Sequence, residues 1–109
     1  MSLDRSIRYC AVIDKLGHIL VQQYRENLQP LLTEKESERN ALLAAIRYHT
    51  RQSWEIKLGK LEYSVSRYHN AIRATIPFAE NHLLLVSFDS GTSNFDTVIT
   101  RKIAPLLEQ

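Results

Sequence analysis

A chain of 109 residues, 44% apolar and 24% charged, has the composition of an ordinary globular domain. Its formal net charge of +2 is too small to require a polyanionic partner, and its apolar content excludes an intrinsically disordered segment. One cysteine, Cys10, excludes an intrachain disulfide and a cysteine metal cluster, and no apolar run approaches the roughly 20 residues of a membrane helix.

The length matches one domain spanning residues 1–109. The charged start, Met1–Arg8, is not followed by the apolar core of a signal peptide, so a cytoplasmic location is expected. A short helical turn is allowed at Ser2–Ile7. Tyr9–Ile13 and Ile19–Tyr24 then read as the arms of a hairpin, with Gly17 in the turn between them. Cys10 sits in the apolar run of the first arm and reads as a small buried hydrophobe. The segment Arg25–Leu32 contains Pro30 and shows no period, which marks a connector.

Thr33 and Glu36 match a capping box, so a helix starts there and runs to about Lys57, with Gly59 as its stop. Leu42, Ile46, His49, Ser53 and Ile56 fall on one stripe with Ala45 beside it, the expected buried face. About 24 residues is long for a small domain, so the helix either kinks or extends beyond the core. Trp54 is expected to be at least partly buried.

Three strands follow. In Leu61–Tyr68, Leu61, Tyr63 and Val65 alternate with Glu62, Ser64 and Ser66, the pattern of a half-buried strand. His69–Asn70 turns the chain into Ile72–Phe78, and Ala79–Asn81 turns it again into Leu83–Phe88. That last run is almost wholly apolar, as in a central strand covered on both faces. Ser93 or Asn94 then caps a helix over Phe95–Leu107 with a stripe of Phe95, Val98, Ile99, Ile103 and Leu106. Pro105 should kink or fray its final turn. The order β-β-α-β-β-β-α, with short turns between neighbouring strands, gives an α+β domain with an antiparallel sheet.

Several residues here resemble the roadblock/LC7 family of small dynein-light-chain-like domains, related to the profilin-like and longin folds. They are the Ala/Leu-rich helix from Ala41 that ends near Gly59, then Leu61–Glu62–Tyr63–Ser64–Val65, then a strand ending near Ile76. His82–Leu83–Leu84–Leu85–Val86 and the amphipathic terminal helix complete the match, and the Gly17 hairpin fits the same plan. The usual first helix is reduced to at most Ser2–Ile7, and Arg25–Leu32 is longer than the plan expects. The resemblance implies a five-stranded antiparallel sheet in the order 2-1-5-4-3, forming a two-layer sandwich with the helices. It also implies homodimers that pair the Leu61–Tyr68 strands and pack the central helices together. In that family such dimers are platforms for small Ras-like GTPases and larger assemblies.

The residues themselves carry no catalytic motif, so no enzyme activity and no cofactor are expected. His18, His49, His69 and His82 lack metal-ligand spacing. Asp89–Ser93 has hydroxyls and a glycine ahead of a helix but neither the spacing nor the lysine of a phosphate loop, and reads as a capped loop. From Arg47 to Arg73 six basic residues (Arg47, Arg51, Lys57, Lys60, Arg67, Arg73) stand against Glu55 and Glu62, with Tyr48, Trp54, Tyr63 and Tyr68 among them. That composition suits a protein interface first, a solvated face second and nucleic acid third. The candidate surface is the edge strand, through Leu61, Tyr63, Val65, Arg67 and Tyr68, with Tyr48, Arg51, Trp54 and Glu55 on the preceding helix. The expectation is a non-catalytic homodimeric adaptor or scaffold that presents a surface to a signalling partner or, as the resemblance implies, to a small Ras-like GTPase. A PAS-like or profilin-like small-ligand sensor and a nucleic-acid binder are the rival readings.

Overall fold

The computed structural model describes residues 4–107. Five strands form one antiparallel sheet: β1 (Ile7–Asp14), β2 (Ile19–Tyr24), β3 (Ser64–Arg67), β4 (Ala71–Phe78) and β5 (His82–Asp89), in the order β2-β1-β5-β4-β3. The expected strand order and α+β class are those observed, with β5 in the middle and buried on both faces. The expected two-layer sandwich is corrected to three layers, because helices pack on both faces of the sheet. The expected helical turn at the start is corrected within the described residues. Ile7 already belongs to β1, and its amide closes a turn onto the Asp4 carbonyl; Ser2 and Leu3 lie outside the described residues.

Two cores flank the sheet. On one face Tyr9, Ala11, Ile13, Leu83 and Leu85 meet Ala41, Ala44 and Ala45 of α1 (Glu34–Gln52). On the other, Ile7, Ile72, Ala74, Ile76, Val86 and Phe88 meet Val98, Ile99 and Ile103 of the C-terminal helix. Ile7 and Tyr9, two residues apart, face opposite sides. An extended strand would put them on the same side, and a register shift between β1 and β5 at that point resolves the conflict.

The buried face of α1 differs from the expected stripe. Ser37, Ala41, Ala44 and Ala45 are buried, whereas Leu42, Ile46, His49, Ser53 and Ile56 are exposed. Small side chains let the helix approach the hairpin closely. A Cβ on Gly17, which has φ +88°, would stand 2.6 Å from the Leu42 Cα. Leu42 and Ile46 would hold the helix away if they pointed inward.

The helix also ends early. The Ser53 hydroxyl donates to the Thr50 carbonyl at 2.8 Å, the acceptor that a continuing helix would give to the Trp54 amide. Trp54 turns its amide to the Arg51 carbonyl instead, and a four-residue helix α2 (Glu55–Leu58) follows, closed by Gly59 at φ +87°. Trp54 and Ile56, expected inside, are 59% and 95% exposed.

β3 is shorter than the expected 61–68 strand. The Tyr68 amide donates to the Ala71 carbonyl, so the odd-numbered residues of β4 turn their backbone groups toward β3. The register that pairs Ser64 with Thr75 would next pair Glu62 with Pro77, which has no amide to give. The Leu61 amide donates to the Glu55 carboxylate at 2.7 Å instead.

The C-terminal helix runs as α3 (Phe95–Val98), a π turn (Ile99–Ile103) and α4 (Ala104–Leu107). Ahead of Pro105, expected to kink or fray the final turn, the helix widens into the π turn and continues as α4 to Leu107. The π turn also shifts the apolar stripe, so Leu107 packs on the core and Leu106 is exposed. Asn94 stands at the cap position, but no side chain there caps the helix.

Asp89 ties the sheet end together. It accepts two bonds from Arg25, at 2.8 and 3.1 Å, and one from Arg8 at 3.3 Å. These guanidinium bonds hold its carboxyl below the usual range, Arg25 contributing most. Asp4 is drawn down to about 2 by hydrogen bonds from Lys102 and Ser6.

Two outcomes follow from these contacts. Gly17→Ala places a side chain against the α1 backbone at positive φ and should destabilise the protein by about 1 kcal/mol or more in chemical denaturation; an unchanged midpoint would refute the close approach. The stability contributed by Asp4 and Asp89 is complete above their unfolded values, near about 3.9, and is lost as pH falls through the depressed folded values. Urea unfolding between about pH 5 and about pH 2 should therefore show a shallower acid loss in Asp4→Asn than in the unaltered protein. Equal slopes would assign the Asp4–Lys102 pair no role.

Candidate functional site

The sheet has two edges, and they are not equivalent. On β2, Val21 pairs with Val12 and Ile19 with Ile13, so Leu20 is an extra residue with no partner. On β3 the pairing with β4 is regular over all four residues. Because Ser64, Ser66 and Tyr68 turn their backbone groups toward β4, Val65 and Arg67 turn theirs outward from the sheet. The outer side of β3 therefore presents unpaired amides and carbonyls beside a strand with no proline and one charge.

The candidate side chains divide by face. Tyr63 and Val65 pack partly on the core beneath the C-terminal helix. Arg67 donates to the Ser90 carbonyl at 3.3 Å and lies over the Phe95 ring at 5.9 Å. Leu61 lies just before the strand and, with Lys60, Glu62 and Tyr63, borders an open surface groove of about 550 Å³ against Ile99 and Leu107. Tyr68 is exposed at the far end of the strand.

The helical candidates do not form one face. Tyr48 packs partly into the core under α1, and burial pushes its hydroxyl up. Arg51 instead borders a groove between α1 and the β3–β4 pair. The Glu55 carboxylate is engaged by the Leu61 amide. Trp54 stands exposed at the break between α1 and α2, followed by exposed Ile56 and Leu58. Among the described residues, seven of the twelve large exposed apolar side chains lie between Leu42 and Tyr68: Leu42, Leu43, Ile46, Trp54, Ile56, Leu58 and Tyr68. Exposed apolar area thus gathers along α1, α2 and the lead to β3 rather than scattering over the surface.

One feature of this region was not assembled from the sequence. The face of β3 and β4 beside α1 is polar, carrying Ser64, Ser66, Tyr68, Arg73 and Thr75, and it meets Arg47 and Arg51 across a groove. Burial lowers the Arg73 pKa, opposed by Tyr9 and Tyr68 nearby. The signal was present as Ser64/Ser66 and Arg73/Thr75 on opposed strands, since registered polar pairs mark a side that α1 leaves uncovered. The rival readings also have locations. The α1 face of the sheet is closely packed by alanines, and the wide clefts are open surface grooves. Lys57 and Lys60 do not border the arginine groove. The loop after β5 is tied into the fold through Asp89 and a buried Thr92. No helix among the described residues is long and apolar enough to cross a membrane.

No family model and no curated protein matches the sequence. Solved structures do match. The roadblock/LC7 domain from Streptomyces avermitilis superposes with a TM-score of 0.73 at 14% identity, over 94% of this chain and 81% of that one. The gliding protein MglB from Thermus thermophilus gives 0.72 at 18% identity, over 98% and 84%. MglB from Myxococcus xanthus gives 0.71 at 14% identity, over 98% and 87%. With a shared strand order and near-complete coverage, the chain has the roadblock/LC7-type fold.

Proposed function

We propose that this protein is a non-catalytic adaptor that works as a homodimer, with β3 of one copy pairing antiparallel to β3 of the other. The observation that carries this reading is the asymmetry of the sheet edges: β3 is regular, with the Val65 and Arg67 backbones unpaired and turned outward, while β2 is interrupted at Leu20. A twofold axis through the middle of β3 would continue the sheet into ten strands. In this reading the same operation faces the exposed Leu43 of α1 with its own copy. MglB has been solved in a tetrameric arrangement, at 19% identity and a TM-score of 0.71, which agrees with self-association in this fold.

The outside partner in this reading is a small Ras-like GTPase, as the roadblock/LC7 resemblance implies, with the dimer as its platform. Fold likeness alone does not assign it. With the β3 edges used between copies, the GTPase would engage the helical surface of the assembled dimer.

Sedimentation at micromolar concentration should give a dimer. Arg67→Pro removes an outward-facing amide without touching the β3–β4 ladder, so it should give a folded monomer. A monomeric unaltered protein, or a dimer indifferent to Arg67→Pro, would reject pairing through β3. Retention of a Ras-like GTPase on the immobilised dimer, in one nucleotide state, tests the second part; no retention in either state counts against it.

A further inference from the structure

Arg47, Arg51 and Arg73 border one groove between α1 and the β3–β4 pair, and its lining contains no carboxylate. None of the three forms an ion pair among the described residues, in contrast to Arg8, Arg25 and Lys102, which are held by Asp89 and Asp4. Arg73 is drawn partly out of water, where a guanidinium without a counter-charge is unfavourable. Three unopposed guanidinium groups at one groove call for an anion from outside the fold. The groove is narrow, with about 20 Å³ of free space, so it admits the tip of one side chain rather than a bulky ligand.

The helix above it supplies a candidate. Glu36, Asn40, Leu43, Arg47 and Thr50 are spaced alternately by four and three residues, so they form one seam along α1. Asn40 and Arg47 border the groove, which places that seam on the β3 side of the helix. Leu43 is exposed at its centre. Glu36 and Thr50 lie seven residues to either side of Leu43, so the seam carries an acid at one end and, beside the neutral Thr50, Arg47 toward the other. Laid antiparallel against its own copy, with the twofold axis at Leu43, it brings Glu36 of one protomer to the Arg47–Arg51 turn of the other.

The remaining nearby acids are placed or occupied elsewhere. Glu34 and Glu38 border a groove on the hairpin side with Gly17 and His18. Glu55 accepts the Leu61 amide, and Glu62 borders the groove beneath the C-terminal helix. Glu36 uses Oε1 to accept the Thr33 amide at 2.9 Å, which leaves Oε2 for a guanidinium.

We propose that in the homodimer each Arg47–Arg51–Arg73 groove receives the Glu36 carboxylate of the other copy, and that this pair of contacts sets the antiparallel register of the two α1 helices. The inference rests on the homodimer reading above and adds to it the residues that each copy contributes to the other.

The test is a charge swap read by analytical ultracentrifugation. Glu36→Arg and Arg47→Glu should each weaken self-association by about tenfold or more, since each leaves like charges facing across the interface. Mixed in equal amounts they should form a heterodimer, because Arg at 36 then meets Glu at 47 while the other groove keeps its natural pair. Glu36→Gln retains the capping geometry and should weaken the dimer with little change in thermal stability of the monomer. That separates loss of the contact from loss of the helix start. If the unaltered protein dimerises and both swaps dimerise equally well, the proposal falls while strand pairing stands. If the unaltered protein is monomeric, both fall. If inorganic phosphate at constant ionic strength protects the monomer, Arg73→Met abolishes that protection and the swaps leave association unchanged, the groove takes a free oxyanion and the proposal is overturned.

Discussion

Three alanines of α1 rest directly on the paired strands β1 and β5, and the hairpin turn at Gly17 comes so near the helix backbone that no Cβ fits between them. Close contact of this kind depends on small residues over the whole contact length. Each alanine contributes little buried area by itself, but together they remove the gap that larger side chains would need and let the sheet's own leucines and isoleucine fill the space. The position of α1 across the sheet follows. It covers the β1–β5 half and leaves the β3–β4 half on that side to serines, a threonine and an arginine.

The bulky residues of α1 are displaced outward for the same reason. With alanines turned to the sheet, Leu42, Leu43 and Ile46 face water, and the break at Ser53 throws Trp54, Ile56 and Leu58 out after them. A helix that used its leucines inward would have a larger private core and a polar exterior. This one has a compact private core and an apolar exterior beside an unfilled strand edge. One side of α1 is thus spent on the fold, and in the proposed dimer its exposed apolar residues would serve association.

Much of this was legible in the residues. Alternation and the Gly17 turn located the strands, Thr33 and Glu36 located the helix start, and the apolar run at 83–88 identified the central strand. The failures share a cause. Hydropathy ranks leucine and isoleucine above alanine as core residues, so the stripe through Leu42, Ile46 and Ile56 looked buried, whereas the geometry of close packing rewarded the smallest side chains. The length of β3 was misjudged because the limit lies in another strand: Pro77 ends the pairing, and only the register shows that it opposes Glu62. The arginine groove was illegible for a similar reason, since its parts come from α1, β3 and β4. Tyr48 and Arg51, three residues apart on α1, divide in the same way: one turns into the core and the other into the groove.

The unpaired Leu20 in β2 bears on how many copies could ever join by this route. A sheet with two regular edges can add strands at both ends, and nothing in its geometry stops growth at two, four or a hundred copies. A sheet with one regular edge has valence one. Once that edge meets its counterpart, both outer ends of the joined sheet are the interrupted β2 strands, and the assembly has no free valence left. A single extra residue, far from the contact itself, would thus turn a fibre-forming pattern into a finite one.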